Sequence, residues 1–95
     1  MLQVRVILSP QALFQEMGSE GVILDLTSST YFGLNEVGAR LWKLLQLDSD
    51  LRRAFEKLLN EYAVDPEVLE RDILEVLSQL SGAKLVEIEK NQEPH

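Results

Sequence analysis

Apolar residues recur along the chain with two periods, and the change from one to the other separates a strand-rich first third from a helical remainder. Residues 2–8 alternate, with Val4, Val6 and Leu8 on one side, which is the two-residue period of a strand. Ser9-Pro10 interrupts it. Residues 12–17 fit either a turn of helix or a strand, and Gly18-Ser19-Glu20-Gly21 reads as a tight turn. The stretch 21–26, GVILDL, is apolar and β-branched, with Val22, Leu24 and Leu26 on one face, and predicts a strand. Thr27-Ser28-Ser29 turns the chain, and Thr30-Tyr31-Phe32 predicts a second strand, because β-branched and aromatic side chains suit a pleated surface. So short a connection makes the two a hairpin.

From Asn35 onward the period is helical. Asn35 is a helix cap with Glu36 in the first turn, where a negative charge complements the helix dipole. Val37, Leu41, Leu44 and Leu45 recur at helical spacing with Trp42 beside them, so the first helix is expected over residues 36–47. Asp48-Ser49-Asp50 caps a second helix carrying Leu51, Phe55, Leu58, Leu59 and Tyr62. Asp65-Pro66 opens a third, with Asp as cap and Pro at the first helical position. Its expected core stripe is Leu69, Ile73, Val76 and Leu80, and Ser81-Gly82 ends it. Val68, Leu74 and Leu77 lie to either side of that stripe, so the helix is either sandwiched or partly open to a groove. Residues 84–89 alternate and predict a closing strand, and residues 91–95 a frayed tail. Strands followed by three helices argue for an α+β fold in one domain over residues 1–90, laid out as a winged helix-turn-helix.

Composition narrows the partners. The net charge of −7 repels phosphate backbones and anionic membrane surfaces, so neither nucleic acid nor membrane is an expected partner, whereas a basic or neutral peptide is attracted. There is no cysteine, which removes thiolate metal sites and thiol nucleophiles and fits a reducing cytoplasm. No basic region precedes a long apolar run, and no apolar run approaches the ~20 residues that span a bilayer, so the expected location is the cytoplasm.

The inventory for catalysis is poor. The one histidine is His95, the final residue, and no base accompanies the serines. Glu67, Glu70, Asp72 and Glu75 share the third helix, and without histidine they read as a solvated charge run rather than a metal or acid/base site. No glycine-rich phosphate loop occurs, and no enzyme activity, metal or cofactor is expected. Asp72 stands apart, because it borders the apolar stripe, where a carboxylate either makes a helix-surface ion pair or holds a basic or N–H group of a bound peptide. An apolar groove beside an unpaired strand is a peptide-docking arrangement in which the ligand adds as a strand. Thr30 to Phe32 offers such an edge.

The segment Gly21-Val-Ile-Leu-Asp-Leu, followed by Thr30-Tyr-Phe-Gly-Leu-Asn-Glu-Val-Gly-Ala-Arg-Leu-Trp42, resembles the PqqD-like domains. These recognise precursors of ribosomally made, post-translationally modified peptides. Tyr62-Ala-Val64, Val68, Asp72-Ile73, Val76-Leu77, Leu80 and Leu85-Val86 are similar to the second half of the pattern, so the resemblance spans residues 20–86. It implies a winged helix-turn-helix with three N-terminal strands. It also implies that the leader segment of a precursor adds as an antiparallel strand against the third helix. On that basis the pairing edge is Ser29, Thr30, Tyr31, Phe32 and Gly33. The groove wall is Val68, Leu69, Asp72, Ile73 and Val76, with Leu77. Asn35, Ala39 and Trp42 are implied to be a cap, a close-packing position and a core aromatic. A stand-alone domain of this size most resembles the leader-binding proteins of lasso-peptide pathways, which serve a separate cysteine-protease-type leader peptidase. The alternative within the family is the peptide chaperone of pyrroloquinoline quinone biosynthesis. The alternative outside it is a DNA-binding winged helix whose recognition helix would be residues 66–80. Four acidic residues against one basic give that helix the wrong sign for a phosphate groove. Residues 2–8 exceed the minimal pattern and leave the register of the N-terminal strands open.

Overall fold

The computed structural model describes residues 3–90, so Leu2 and the expected tail at residues 91–95 lie outside the described residues. The chain runs β1 (Val4–Leu8), β2 (Ala12–Met17), β3 (Glu20–Asp25), β4 (Thr30–Leu34), α1 (Glu36–Leu47), α2 (Leu51–Glu61), α3 (Pro66–Gly82) and β5 (Val86–Lys90). The α+β class and the order of strands before three helices are as expected. Residues 12–17 resolve as a strand, because their alternation is completed by β3 across a two-residue turn in which Gly18 takes φ 68°. The expected hairpin forms with β4 extending through Leu34.

The strands make two sheets rather than one. β2, β3 and β4 form an antiparallel sheet in that order, whereas β1 pairs with β5 as a separate antiparallel ribbon. This settles the open register: β1 is no extra member of the N-terminal sheet but joins the two ends of the described chain. The Val6 N–H also donates to the Ser49 carbonyl at 2.8 Å, so the connection before α2 is stitched to the free side of β1.

The core lies between the helices and one face of each sheet. Gly21, Ile23 and Asp25 of β3 point inward with Phe14, Phe32 and Leu34 of the neighbouring strands. α1 packs on this face, and Phe14 stacks on Trp42 with ring centroids 6.3 Å apart. Gly21 is required there, because a Cβ would collide with the Phe14 ring and crowd Ala39. Trp42 and Ala39 are buried and Asn35 accepts from the Gly38 N–H, so all three have the structural roles expected of them.

α1 and α2 are tied by Arg40, which donates twice to Glu61 at 2.8 Å. At the start of α2, Arg53 donates to Asp48 at 2.6 and 3.2 Å, and Asp50 caps the helix by accepting from the Arg53 N–H. The Arg53 guanidinium, helped by the Asp50 backbone N–H, holds the Asp48 carboxyl at about 2. α3 begins as expected on the Asp65 cap and Pro66. Its core stripe is Leu69, Ile73, Leu77 and Leu80. This corrects the expected stripe: Leu77 replaces Val76, which is half-buried at the rim. Both positions fit a 3.6-residue period, and only the direction from which α1 and α2 approach decides between them.

Candidate peptide-docking site

Strand β4 is an edge of its sheet, paired with β3 on one side only. Three strands leave a side open to pairing: β2, β4 and β5. Exposed edges are commonly guarded by charge against unwanted pairing. β2 carries Glu16, and β5 carries Glu87, Glu89 and Lys90, whereas β4, TYFGL, carries none. β4 is therefore the unguarded edge, and its backbone groups face outward between uncharged side chains.

The β3–β4 turn holds that edge in place. Asp25 is buried, and its carboxylate accepts from the Thr27 N–H at 3.0 Å and the Ser28 hydroxyl at 2.9 Å. The Ser29 N–H donates to the Asp25 carbonyl at 2.7 Å, and Ser29 takes the left-handed φ of 60° that reverses the chain. Asp25 was absent from the expected site. Its signal in the sequence was Asp25 followed by Leu-Thr-Ser-Ser-Thr, the composition of a turn in which a carboxylate caps the backbone two residues on. At the other end of β4, Asn35 caps α1, so the five-residue strand is pinned at both ends.

The expected edge residues Ser29, Thr30, Tyr31, Phe32 and Gly33 are thus contiguous on an open strand and its turn. Tyr31 is 70% exposed, while Phe32 is half-buried against the core. The expected wall on α3 divides in two. Leu69, Ile73 and Leu77 are no more than 2% exposed and pack into the core, beneath the accessible row. A helix that packs on α1, α2 and β5 must commit those three to the interior. Val68, at 40% exposed, Asp72, exposed, and Val76, half-buried, remain accessible. Being four residues apart, they form one row along the helix. Asp72 makes no ion pair or side-chain hydrogen bond among the described residues. Both β4 and α3 pack on α1 rather than closely on each other.

No group of three or more His, Cys, Asp or Glu that could hold a metal occurs among the described residues. No helix among them is long and apolar enough to cross a membrane. The arrangement offers backbone donors and acceptors, an apolar row and one carboxylate, which is equipment for binding an extended chain.

The family model described as coenzyme PQQ synthesis protein D (PqqD) matches residues 20–86. Among solved structures, that of TbiB1 in complex with the TbiA(beta) leader peptide is similar to this chain with a TM-score of 0.78. The two are 33% identical, over 85% of this chain and 94% of that one. No curated protein matches the chain.

Proposed function

The chain belongs to the PqqD family, and from that premise we propose that it is a non-catalytic domain that binds the leader segment of a ribosomally made precursor peptide. It presents that precursor to a separate processing enzyme, a leader peptidase of the lasso-peptide type. The observation that carries the reading is the open, uncharged β4 edge, in a chain similar over nearly the whole length of TbiB1, a protein solved with a leader peptide bound.

The leader adds antiparallel to β4 and completes the backbone hydrogen bonds that its outer side lacks. Affinity from the backbone is nearly independent of sequence, so discrimination rests on side chains. Val68 and Val76 supply apolar contact from α3, and Asp72 holds a basic or N–H group of the leader at the rim. Leu69, Ile73 and Leu77 support that row from beneath. The similarity to TbiB1, whose partner is a leader peptide, favours this reading over service to quinone-cofactor synthesis.

Amide exchange with and without the cognate leader tests the proposal. Protection is expected to rise at the outward-facing amides of β4 and to stay level along β2 and β5. Saturating leader that leaves β4 unprotected while another surface gains protection removes the proposed site.

A further inference from the structure

The fold gives Gly33 no reason to be glycine. It lies within β4, its φ is not left-handed, and a Cβ placed there would meet nothing within 4 Å. Gly21, by contrast, is fixed by the Phe14 ring. Glycine weakens a strand, and where no bend or bulge requires it, it marks a place that a ligand approaches closely. Gly33 pairs with Val22, and both face outward, because Ile23 and Leu34 beside them face the core.

A depression of about 440 Å³ opens on this outer face, lined by Met17, Glu20, Val22 and Gly33 among others. Glu20 faces outward with Val22, two residues along β3, and is exposed. Its carboxylate makes no ion pair among the described residues. Met17, its partner on β2, is 60% exposed. The depression therefore has apolar walls, an unpaired carboxylate at its far end, and at β4 an entrance that any side chain at position 33 would obstruct.

A leader strand added to β4 places the residue opposite Gly33 on this same outer face, because residues opposite one another in a ladder share a face. Strands lie about 4.8 Å apart, so the leader backbone runs about 10 Å from β3. A short side chain cannot span that distance. Lysine and arginine can, with an apolar stem laid along apolar surface and a charge at the tip. An acidic side chain is repelled by Glu20 and by a net charge of −7.

We infer that Gly33 and Glu20 form a specificity site for one lysine or arginine of the leader. The stem crosses bare Gly33 against Val22 and Met17, and the charge meets the Glu20 carboxylate. This rests on the leader-binding reading above and adds to it a basic residue on the face of the sheet away from α1.

The test titrates the purified chain with its cognate leader, and with leaders in which each lysine or arginine is changed in turn to methionine, which keeps an apolar stem. One such change is expected to weaken binding to the parent about threefold at low salt, the scale of an exposed ion pair, and to have no effect on binding to Glu20→Gln. Glu20→Gln loses the same factor with the unaltered leader, and the loss shrinks as salt rises. Gly33→Val closes the crossing. It is expected to melt no lower than the parent, because its Cβ meets nothing and valine suits a strand. It is expected to bind the leader roughly tenfold more weakly, as the loss of an anchoring side chain does. If Gly33→Val does not fold, the coupling between Glu20→Gln and the leader variants decides alone. A leader that protects β4 yet has no lysine or arginine coupled to Glu20, or a folded Gly33→Val that binds like the parent, overturns the specificity site and leaves the leader site standing. A parent that binds no leader, or whose β4 amides gain no protection on binding, removes both.

Discussion

The two sheets are built from strands of similar length and serve opposite ends. β1 is enclosed: β5 pairs with it on one side, the Ser49 carbonyl takes its Val6 N–H on the other, and Val6 has no exposed surface. The β2–β3–β4 sheet is closed only beneath, by α1, and leaves an uncharged edge and an apolar outer face in water. The ribbon joins the two ends of the described chain, and its strand β1 spends its groups on stability, while β5 keeps one side open behind a charged edge. The other sheet keeps its backbone groups and apolar area unspent, which is the condition for binding. In so small a domain the first makes the second affordable, because a short chain has little core with which to offset exposed apolar surface.

Acidic substitutions should sharpen that contrast most. Val6→Asp places a carboxylate at a fully enclosed position with no partner, which costs several kcal/mol and is expected to unfold a domain of this size. Leu13→Glu, on the exposed face, is expected to melt within about 0.5 kcal/mol of the parent. Circular dichroism melts check both, and a folded Val6→Asp protein would mean that the ribbon is not a structural clamp.

Proline at the open edge comes next. Successive backbone N–H groups of a strand point to opposite sides, so of Tyr31→Pro and Phe32→Pro one removes a donor to β3 and the other a donor to the leader. One variant is expected to lose stability. The other is expected to keep its melting temperature and bind leader at least tenfold more weakly. Two proline variants that both fold and both bind like the parent would break the strand-addition reading.

Smaller effects are expected from α3. Val68→Ser removes an apolar contact and should weaken leader binding about tenfold at every salt concentration, the consequence of roughly 1–2 kcal/mol. Asp72→Asn should weaken it less, and the loss should shrink as salt rises, since a rim carboxylate is screened. Calorimetric titrations at low and high salt distinguish the two, and parent-like affinity in both variants at both salts would exclude this helix from the site.

The smallest effect concerns the enclosed region and pH. Asp48 titrates at about 2 in the folded chain against an ordinary 3.8, because Arg53 and the Asp50 N–H favour its charged form. A folded pKa below the unfolded one stabilises the protein at pH above about 4, and that contribution is lost as pH falls through 2. The difference in melting temperature between the parent and Asp48→Asn should therefore be largest above pH 4 and vanish near pH 2. A difference that stays constant across this range would show that the pair with Arg53 does not act through charge.

Local chemistry was legible in the residues themselves. Asn35, Asp50 and Asp65 cap their helices, Pro66 opens the third, and Gly18 turns the first hairpin, because each requirement is met within a few residues of chain. The edge at Thr30 to Phe32 was legible too, through its hairpin and its resemblance to a family pattern. Residues 12–17 were not, since their alternation is weak until β3 lies beside it. Asp25 was missed because a carboxylate within an apolar run is seen as a turn anchor only when the turn is folded around it.

The sequence by itself determined the elements, their caps and the α+β order, which follow from periodicity and short-range hydrogen bonding. Tertiary structure alone decided which apolar residues meet the core and which meet water. Val76 and Leu77 are equally apolar neighbours on one helix, and only the approach of α1 and α2 buries Leu77 and leaves Val76 at the rim. β3 is apolar on both faces, and only the seat of α1 makes Ile23 core and leaves Leu24 on the outer surface beside Leu13 and Tyr31. The pairing of β1 with β5 joins residues more than seventy positions apart. No local pattern encodes that contact, because it forms only when the helices between the two strands have packed and brought the described ends together.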